Sequence, residues 1–284
     1  MCGQSSLSWV ILTRGDRRSE LRVAATSVSE DGSADVVIVS NGGGPVQLPG
    51  THHHIESASN VGIPAARHLG LERANTPLVG FLDDDAALLA PDAGPIVAAF
   101  DSDPTLAVVS LRIIDEQGET SRRHVPRLGE AHADRAGEVA TFLGGACAIR
   151  REAYEQVGGY FTELFYGHEE LELSWRLIDA GWRIRYLADV TVFHPRTEIS
   201  RHADGWRLTG RNRVWIARRT LPWPVALVHV AAWLVLGTIR APAGECRRSY
   251  LQGWMDGWRS AIEHRPIRWR TVWRLAQLGR PPVI

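Results

Sequence analysis

Along the first two hundred residues, short apolar runs alternate with stretches whose apolar residues recur at helical spacing. Leu7–Thr13 (LSWVILT) and Asp35–Ser40 (DVVIVS) are mostly apolar from end to end, the pattern of strands covered on both faces of a sheet. His52–Glu56 reads as a third, short strand, Pro77–Leu82 as a fourth and Leu106–Ile114 as a fifth, with late strands at Arg183–Leu187 and Val190–His194. Helices are predicted over Asp16–Val28, Pro64–Arg73, Pro91–Phe100, Glu152–Val157 and Glu169–Ala180, the last closed by Gly181; Pro64 suits a first helical turn. Asn41–Pro45 (NGGGP) must be a loop, because glycine permits backbone conformations and a close ligand approach that side chains forbid. Phe142–Arg150 is a small-residue segment, and the polar, Arg-rich stretch Asp115–Glu138 reads as a hairpin or mobile loop. Repeated strand–helix units of this length predict an α/β sheet covered on both faces.

From about Arg201 the pattern changes to Arg- and Trp-rich helix. Val225–Gly237 (VALVHVAAWLVLG) is the most apolar stretch of the chain, yet it is shorter than the roughly 20 residues needed to span a bilayer. A core helix, or one lying in a membrane interface, fits it better than a span. Charge sharpens the boundary. Residues 1–200 carry 17 Arg against 28 acidic residues and residues 201–284 carry 15 Arg against 4, so a net charge of zero conceals halves near −11 and +11. Eight of the eleven Trp lie beyond residue 200. Two parts with different jobs, residues 1–200 and a helical extension over 201–284, are expected. The chain has no lysine, which excludes Schiff-base and P-loop lysine chemistry. Cys2, Cys147 and Cys246 are far apart and odd in number, and Met1–Ser6 shows no basic, signal-type pattern; reduced thiols in a cytoplasmic setting are expected.

Three features carry candidate chemistry. Asp83-Asp84-Asp85 follows the Pro77–Leu82 strand directly, and ligands of open sheets bind beyond strand carboxyl ends. Such a cluster either holds Mg²⁺ or Mn²⁺ through hard oxygens or is a solvated turn whose last Asp caps the next segment. In Tyr166–Arg176 (YGHEELELSWR), Leu171, Trp175 and Ile178 form a buried stripe and Glu169 and Glu170 fall in the first helical turn. There they either satisfy the helix dipole, with Glu172 and Arg176 pairing one turn apart, or present a general base to a cleft. His194 closes the last strand before Pro195, as a metal ligand or as a capping imidazole. The run His52-His53-His54 reads as solvated.

Taken in order, VILTRGDR, VVIVSNGG, NVGIPAARHLGL, LVGFLDDDA, GGACAIRREAYEQVGGY, HEELELSWRLIDAGWRI and VTVFHP resemble a family-2 glycosyltransferase of bacterial type, over Val10 to about Pro195. The resemblance implies the GT-A fold, with a mostly parallel central sheet. It implies an inverting enzyme that moves a sugar from a nucleotide-sugar donor (UDP-, GDP- or dTDP-linked) to a hydroxyl of a glycan or lipid-linked acceptor. Thr13 and Arg14 would line the nucleotide pocket, Asn41 would sit by the base, and Arg67 would contact the nucleotide or its diphosphate. Asp83 and Asp85 would be the acids of the metal motif, with Asp85 the direct ligand, Asp84 or Asp83 near the ribose and His194 a further metal contact. Gly144 and Gly145 would floor the acceptor site. Glu170 would be the base, although the family's Glu-Asp pair is here Glu169-Glu170, one methylene longer. The family's acid in the nucleotide loop is replaced by Ser40 or Asn41, which leaves the base specificity open.

Two rivals stand beside this reading. A sugar-phosphate nucleotidyltransferase would carry a Gly-rich basic loop with a lysine near the first strand, and this chain has neither. A catalytically decayed carbohydrate- or membrane-binding relative would not need the acidic clusters. For the Arg/Trp tail, peripheral membrane contact through 201–284 ranks ahead of packing on the catalytic domain, and no nucleic acid is expected. That contact would place the protein at the inner face of the cell membrane.

Overall fold

The alternation of apolar residues along each strand sends them to two cores. On β1 (Leu7–Thr13), Leu7, Trp9 and Ile11 enter one core and Val10 the other; on β2 (Asp35–Asn41), Val36 and Ile38 are divided from Val37 and Val39 in the same way. This is the two-residue period of a sheet buried on both faces. The computed structural model describes residues 6–29, 35–46, 48, 53–90, 93–127, 133–196 and 204–283. The remaining strands are β3 (His53–Ser57), β4 (Leu78–Asp83), β5 (Ala87–Leu88), β6 (Leu106–Ile114), β7 (Gly137–Glu138), β8 (Ala146–Arg150) and β9 (Arg183–Phe193). They join in the order β3-β2-β1-β4-β8-β6-β9-β5, with β7 paired to β9.

The half from β3 to β4 is parallel throughout, as expected. The other half is mixed, because β8 runs antiparallel between β4 and β6. Its Ala146, Cys147, Ala148 and Ile149 are fully buried, so the small-residue segment is a central strand. The two late strands are one, β9. Leu187 pairs with Leu111 and Thr191 with Arg112, and the residues between are extra on the β9 side, a bulge that leaves the pairing continuous. Within Asp115–Glu138 the described residues contain a 3-10 turn at Arg122–His124 and the short β7. His52, Cys2 and the Pro91 start of the third predicted helix lie outside the described residues.

Helices α1 (Arg18–Ser27) and α3 (Gly94–Ser102) cover one face, and α2 (Ile63–Arg73), α4 (Arg151–Gln156) and α5 (Glu169–Ala180) the other. The extension forms α6 (Gly205–Thr220), α7 (Trp223–Arg240), α8 (Glu245–Arg259) and α9 (Trp269–Gln277). A third core joins it to the sheet domain: Phe161, Leu164, Leu171 and Trp175 pack with Val214, Ile216, Leu221 and Val225. Several tail tryptophans are therefore packing residues; Trp215, Trp254 and Trp258 lie against this core, while Trp269 and Trp273 are exposed.

The tail also clamps the turn that leads into α5. Phe165 and His168 there adopt φ of 64° and 74°, left-handed values uncommon for side-chain-bearing residues. Buried Asn212 of α6 donates from Nδ2 to the carbonyls of Leu164 (2.9 Å), Tyr166 (2.9 Å) and Gly167 (3.0 Å). Replacing it takes that donor from the Tyr166 and Gly167 carbonyls at a strained turn, while the Leu164 carbonyl keeps Arg211 Nη2 at 2.8 Å. Asn212→Ala is expected to lower the unfolding free energy by about 1–3 kcal/mol, seen as a lower urea midpoint at unchanged slope. An unchanged midpoint would mean the turn holds itself.

Candidate active site

The carboxyl ends of β1, β2 and β4 deliver Thr13, Asn41 and Asp83 to one edge of the sheet, and His194 follows the end of β9. They open onto a cavity of about 580 Å³. Of the residues expected from sequence, Thr13, Arg14, Asn41, Asp83, Asp84, Asp85 and His194 line it; Arg67, Gly144, Gly145, Glu169 and Glu170 are not among the lining residues. Asn41 is buried and its amide is used structurally. It donates to Asn60 Oδ1 (3.0 Å) and accepts from the Val61 backbone N–H (2.9 Å), tying the glycine loop to the segment before α2. At Gly43 a Cβ would collide with the Arg14 carbonyl, so the close approach there is made by the chain's own backbone.

Asp83, Asp85 and His194 each offer a ligand atom, and these atoms lie within 4.8 Å of one another. His194 Nε2 is 3.5 Å from an Asp83 oxygen and 3.4 Å from an Asp85 oxygen. Two carboxylates and one imidazole at a strand end, bordering a cavity, fit a divalent cation such as Mn²⁺ or Mg²⁺. Burial opposes a charged His194, but its hydrogen bond to Asp83 and the charges of Asp83 and Asp85 outweigh it and raise its pKa to about 9. The same contacts, with Arg67, hold Asp83 below the ordinary carboxylate range despite its burial. Asp84 is pushed up to about 6 by burial and by the neighbouring Asp85 charge, against the Thr13 hydrogen bond and Arg17.

Three cationic or imidazole groups here escaped the sequence reading. Arg17 ion-pairs with Asp85 and stands 3.6 Å from Asp84. It lies within VILTRGDR, but Arg14 was the residue singled out there. Arg123 and His124, from the 3-10 turn, also line the cavity, with the His124 ring 6.1 Å from that of His194. Burial, Arg123 and His194 together push His124 down to about 4. The signal was the SRRH string inside the segment read as a loop.

Behind the cavity wall a single guanidinium joins the two halves of the site. Arg67 of α2 is 3% exposed. Its Nη1 lies 3.0 Å from Glu170 Oε1 and 3.2 Å from Glu169 Oε1, and its Nη2 lies 3.8 Å from Asp83 Oδ1. The structure thus places Arg67 among carboxylates, where a direct nucleotide contact had been expected. Gly144 and Gly145 make room for this packing: a Cβ on the first would collide with Glu170 Oε1 and Arg67 Nη1, and on the second with the Asp83 carboxylate. The two glutamates differ. Glu169 is buried, with one carboxylate oxygen lacking a partner, while the Glu170 side chain is 22% exposed. Burial and the Glu170 charge raise Glu169 to about 8, against the pull of Arg67.

The sheet order, the acidic cluster at the strand ends and the carboxylates behind it define an α/β domain of the GT-A type. Solved structures share this fold. GalNAc-T7 with UDP, GalNAc and Mn²⁺ superposes with a TM-score of 0.62 at 17% identity, over 92% of this chain and 55% of that one. The mannosyltransferase PcManGT from Pyrobaculum calidifontis, in complex with GDP-Man and Mn²⁺, gives 0.56 at 17%, over 96% and 79%. The model of the family described as glycosyl transferase family 2 matches residues 29–158. The chain is also 31% identical over 227 residues to the pre-mycofactocin glycosyltransferase of Mycobacterium tuberculosis, over 74% of this chain and 44% of that protein. The family-model match and the curated relative support a family-2 glycosyltransferase domain in this chain. The chain spans less than half the length of that curated relative.

Glu169 makes stability depend on pH in a known direction. It titrates near 4.5 when unfolded and near 8 when folded, so between those values the folded state holds a proton that the unfolded state lacks. Its contribution therefore falls as pH rises through that window and is level above it. The unfolding free energy of the wild type minus that of Glu169→Gln should decline from about pH 5 to about pH 8. A flat difference would mean that Glu169 is ionised in the folded protein.

Proposed function

We propose that this chain is an inverting hexosyl- or deoxyhexosyltransferase that moves a sugar from a nucleotide-sugar to a hydroxyl of a glycan or lipid-linked acceptor. The observation that carries this reading is the union, through Arg67, of the Asp83–Asp85–His194 cluster with the partly exposed Glu170. The complexes of GalNAc-T7 with UDP and of PcManGT with GDP-Man support a nucleotide-sugar donor for a chain of this fold.

Asp83, Asp85 and His194 would hold Mn²⁺ or Mg²⁺. Bound there, the cation neutralises charge gathering on the departing diphosphate, the main electrostatic task of the reaction. Thr13, Arg14 and Asn41 line the side of the cavity assigned to the nucleoside, with Asp84 near its ribose. Arg17, Arg123 and His124 border the diphosphate side. The acceptor oxygen attacks the anomeric carbon from the face opposite the diphosphate; the new C–O bond forms as the bond to the diphosphate oxygen breaks. Glu170 takes the acceptor proton. Arg67 and Glu169 position Glu170, and one displacement inverts the anomeric centre. Gly144 and Gly145, which bear no side chains, floor the acceptor side. The basic tail supports placing this reaction at the cytoplasmic face of a membrane, where lipid-linked or cell-envelope acceptors are presented.

The test is a calorimetric titration with UDP-, GDP- and dTDP-sugars, with and without Mn²⁺. One nucleotide is expected to bind only with the metal, and Asp85→Ala to weaken it by about 10–100-fold. Glu170→Gln should bind the donor as the wild type does while turnover falls by about 10²-fold or more. If no nucleotide binds under any condition, the donor site is not where the acids are.

A further inference from the structure

Helix α7 is long and apolar enough, by length and composition, to cross a membrane, yet its two faces have different fates. One is committed to protein. His229 Nδ1 donates to the Pro282 carbonyl at 2.6 Å, the Trp233 carbonyl accepts from the Tyr250 hydroxyl at 2.5 Å, and the Arg213 guanidinium lies 3.4 Å from the Trp233 ring centre. The other face is an exposed stripe of Pro224, Leu227, Val228, Ala231, Val235 and Ile239. Leu227, Val228, Val235 and Ile239 are 54–70% exposed. Between Arg219 and Arg240 the only ionisable residue is the buried His229. The stripe follows helical spacing, so it forms one band along a helix of about 27 Å.

We infer that this band seats the protein in the interface of an anionic lipid membrane, with α7 lying in the membrane plane and not crossing it. Crossing would either strip α7 from α6 and α8 or carry Arg213 and its polar neighbours into hydrocarbon, and both are costly. Lying flat buries the stripe and keeps every contact of the opposite face. The charge of the extension selects the partner. Exposed Arg240, Arg248, Arg259 and Arg270 have no carboxylate within 4.0 Å among the described residues. Two of the three acids of 205–284, Asp256 and Glu263, are already paired with Arg207 and Arg265. A surface so basic repels a second copy of itself and attracts anionic headgroups. Trp223, 47% exposed at the start of α7, suits the headgroup level. The inference stands on the tail alone and is independent of the donor reading.

The test is flotation of the full chain with vesicles of phosphatidylcholine alone or with about one part in three of phosphatidylglycerol. The wild type should float with the anionic vesicles about tenfold or more better than with the neutral ones and be released by alkaline carbonate. Val228→Glu/Val235→Glu, at exposed positions, should lose binding while keeping the wild-type melting temperature. Arg240→Glu/Arg248→Glu should fall towards the neutral-vesicle level, leaving Mn²⁺-dependent nucleotide binding as it was. The inference is overturned if the wild type floats with neither vesicle, or if the glutamate pair in the stripe binds like wild type. Resistance to carbonate would show a crossing helix, and a dimer broken by the stripe variant with no flotation would show that a second copy covers α7; both overturn it.

Discussion

A buried cation holds this site together. Arg67 projects from α2 between a carboxylate at the end of β4 and two at the start of α5, so a single side chain fixes the distance from Asp83 to Glu170. Three acids this close would repel one another if left alone, and a buried guanidinium without them would be costly to desolvate. Together they are tolerated, and losing the cation would strand the acids. The rest of the site conforms to this knot. The insertion of β8 sets Gly144 and Gly145 against it, and their missing side chains let Glu170, Arg67 and Asp83 approach.

The elements that carry the knot are themselves tethered. The first N–H of α2, at Ile63, donates to the Phe165 carbonyl at 2.8 Å, and Asn212 of α6 grips the carbonyls of the same turn. α2, α5 and the tail therefore meet at Leu164–His168, where Phe165 and His168 have positive φ. Glu172, fully buried one turn into α5, pairs with Arg176 and also with Arg219 of α6. That second partner ties the helix dipole end of α5 to the tail. The extension is thus part of the wall that orients Glu169 and Glu170, whatever else its outer face does.

Much of this could be read from the chain, and the exceptions share a physical cause. Strand ends were legible because β1, β2, β4 and β6 are continuous apolar runs, and from them the positions of Thr13, Asn41 and the Asp triplet followed. β8 was missed because Ala146, Cys147 and Ala148 carry too little side chain for a strand signal; their burial comes from neighbours on both sides. The bulge in β9 looked like a gap between two strands because Ala188-Asp189 interrupts the apolar pattern. Arg67 was assigned to the nucleotide because sequence conveys residue type and order but not depth, and a guanidinium beside a diphosphate looks the same as one beside three carboxylates. Arg17, Arg123 and His124 reach the cavity from loops, where no periodicity marks the side that faces the ligand.

The geometry has one chemical consequence that stands apart from the identity of the acceptor. The proposed role of Glu170 as the base entails direct displacement, with no sugar attached to the protein. Slow hydrolysis of an α-linked nucleotide-sugar, followed by proton NMR before the released sugar mutarotates, tests this directly. The β-anomer should appear first and decay towards equilibrium. An α-anomer appearing first would show retention and contradict the assignment of Glu170 as a base.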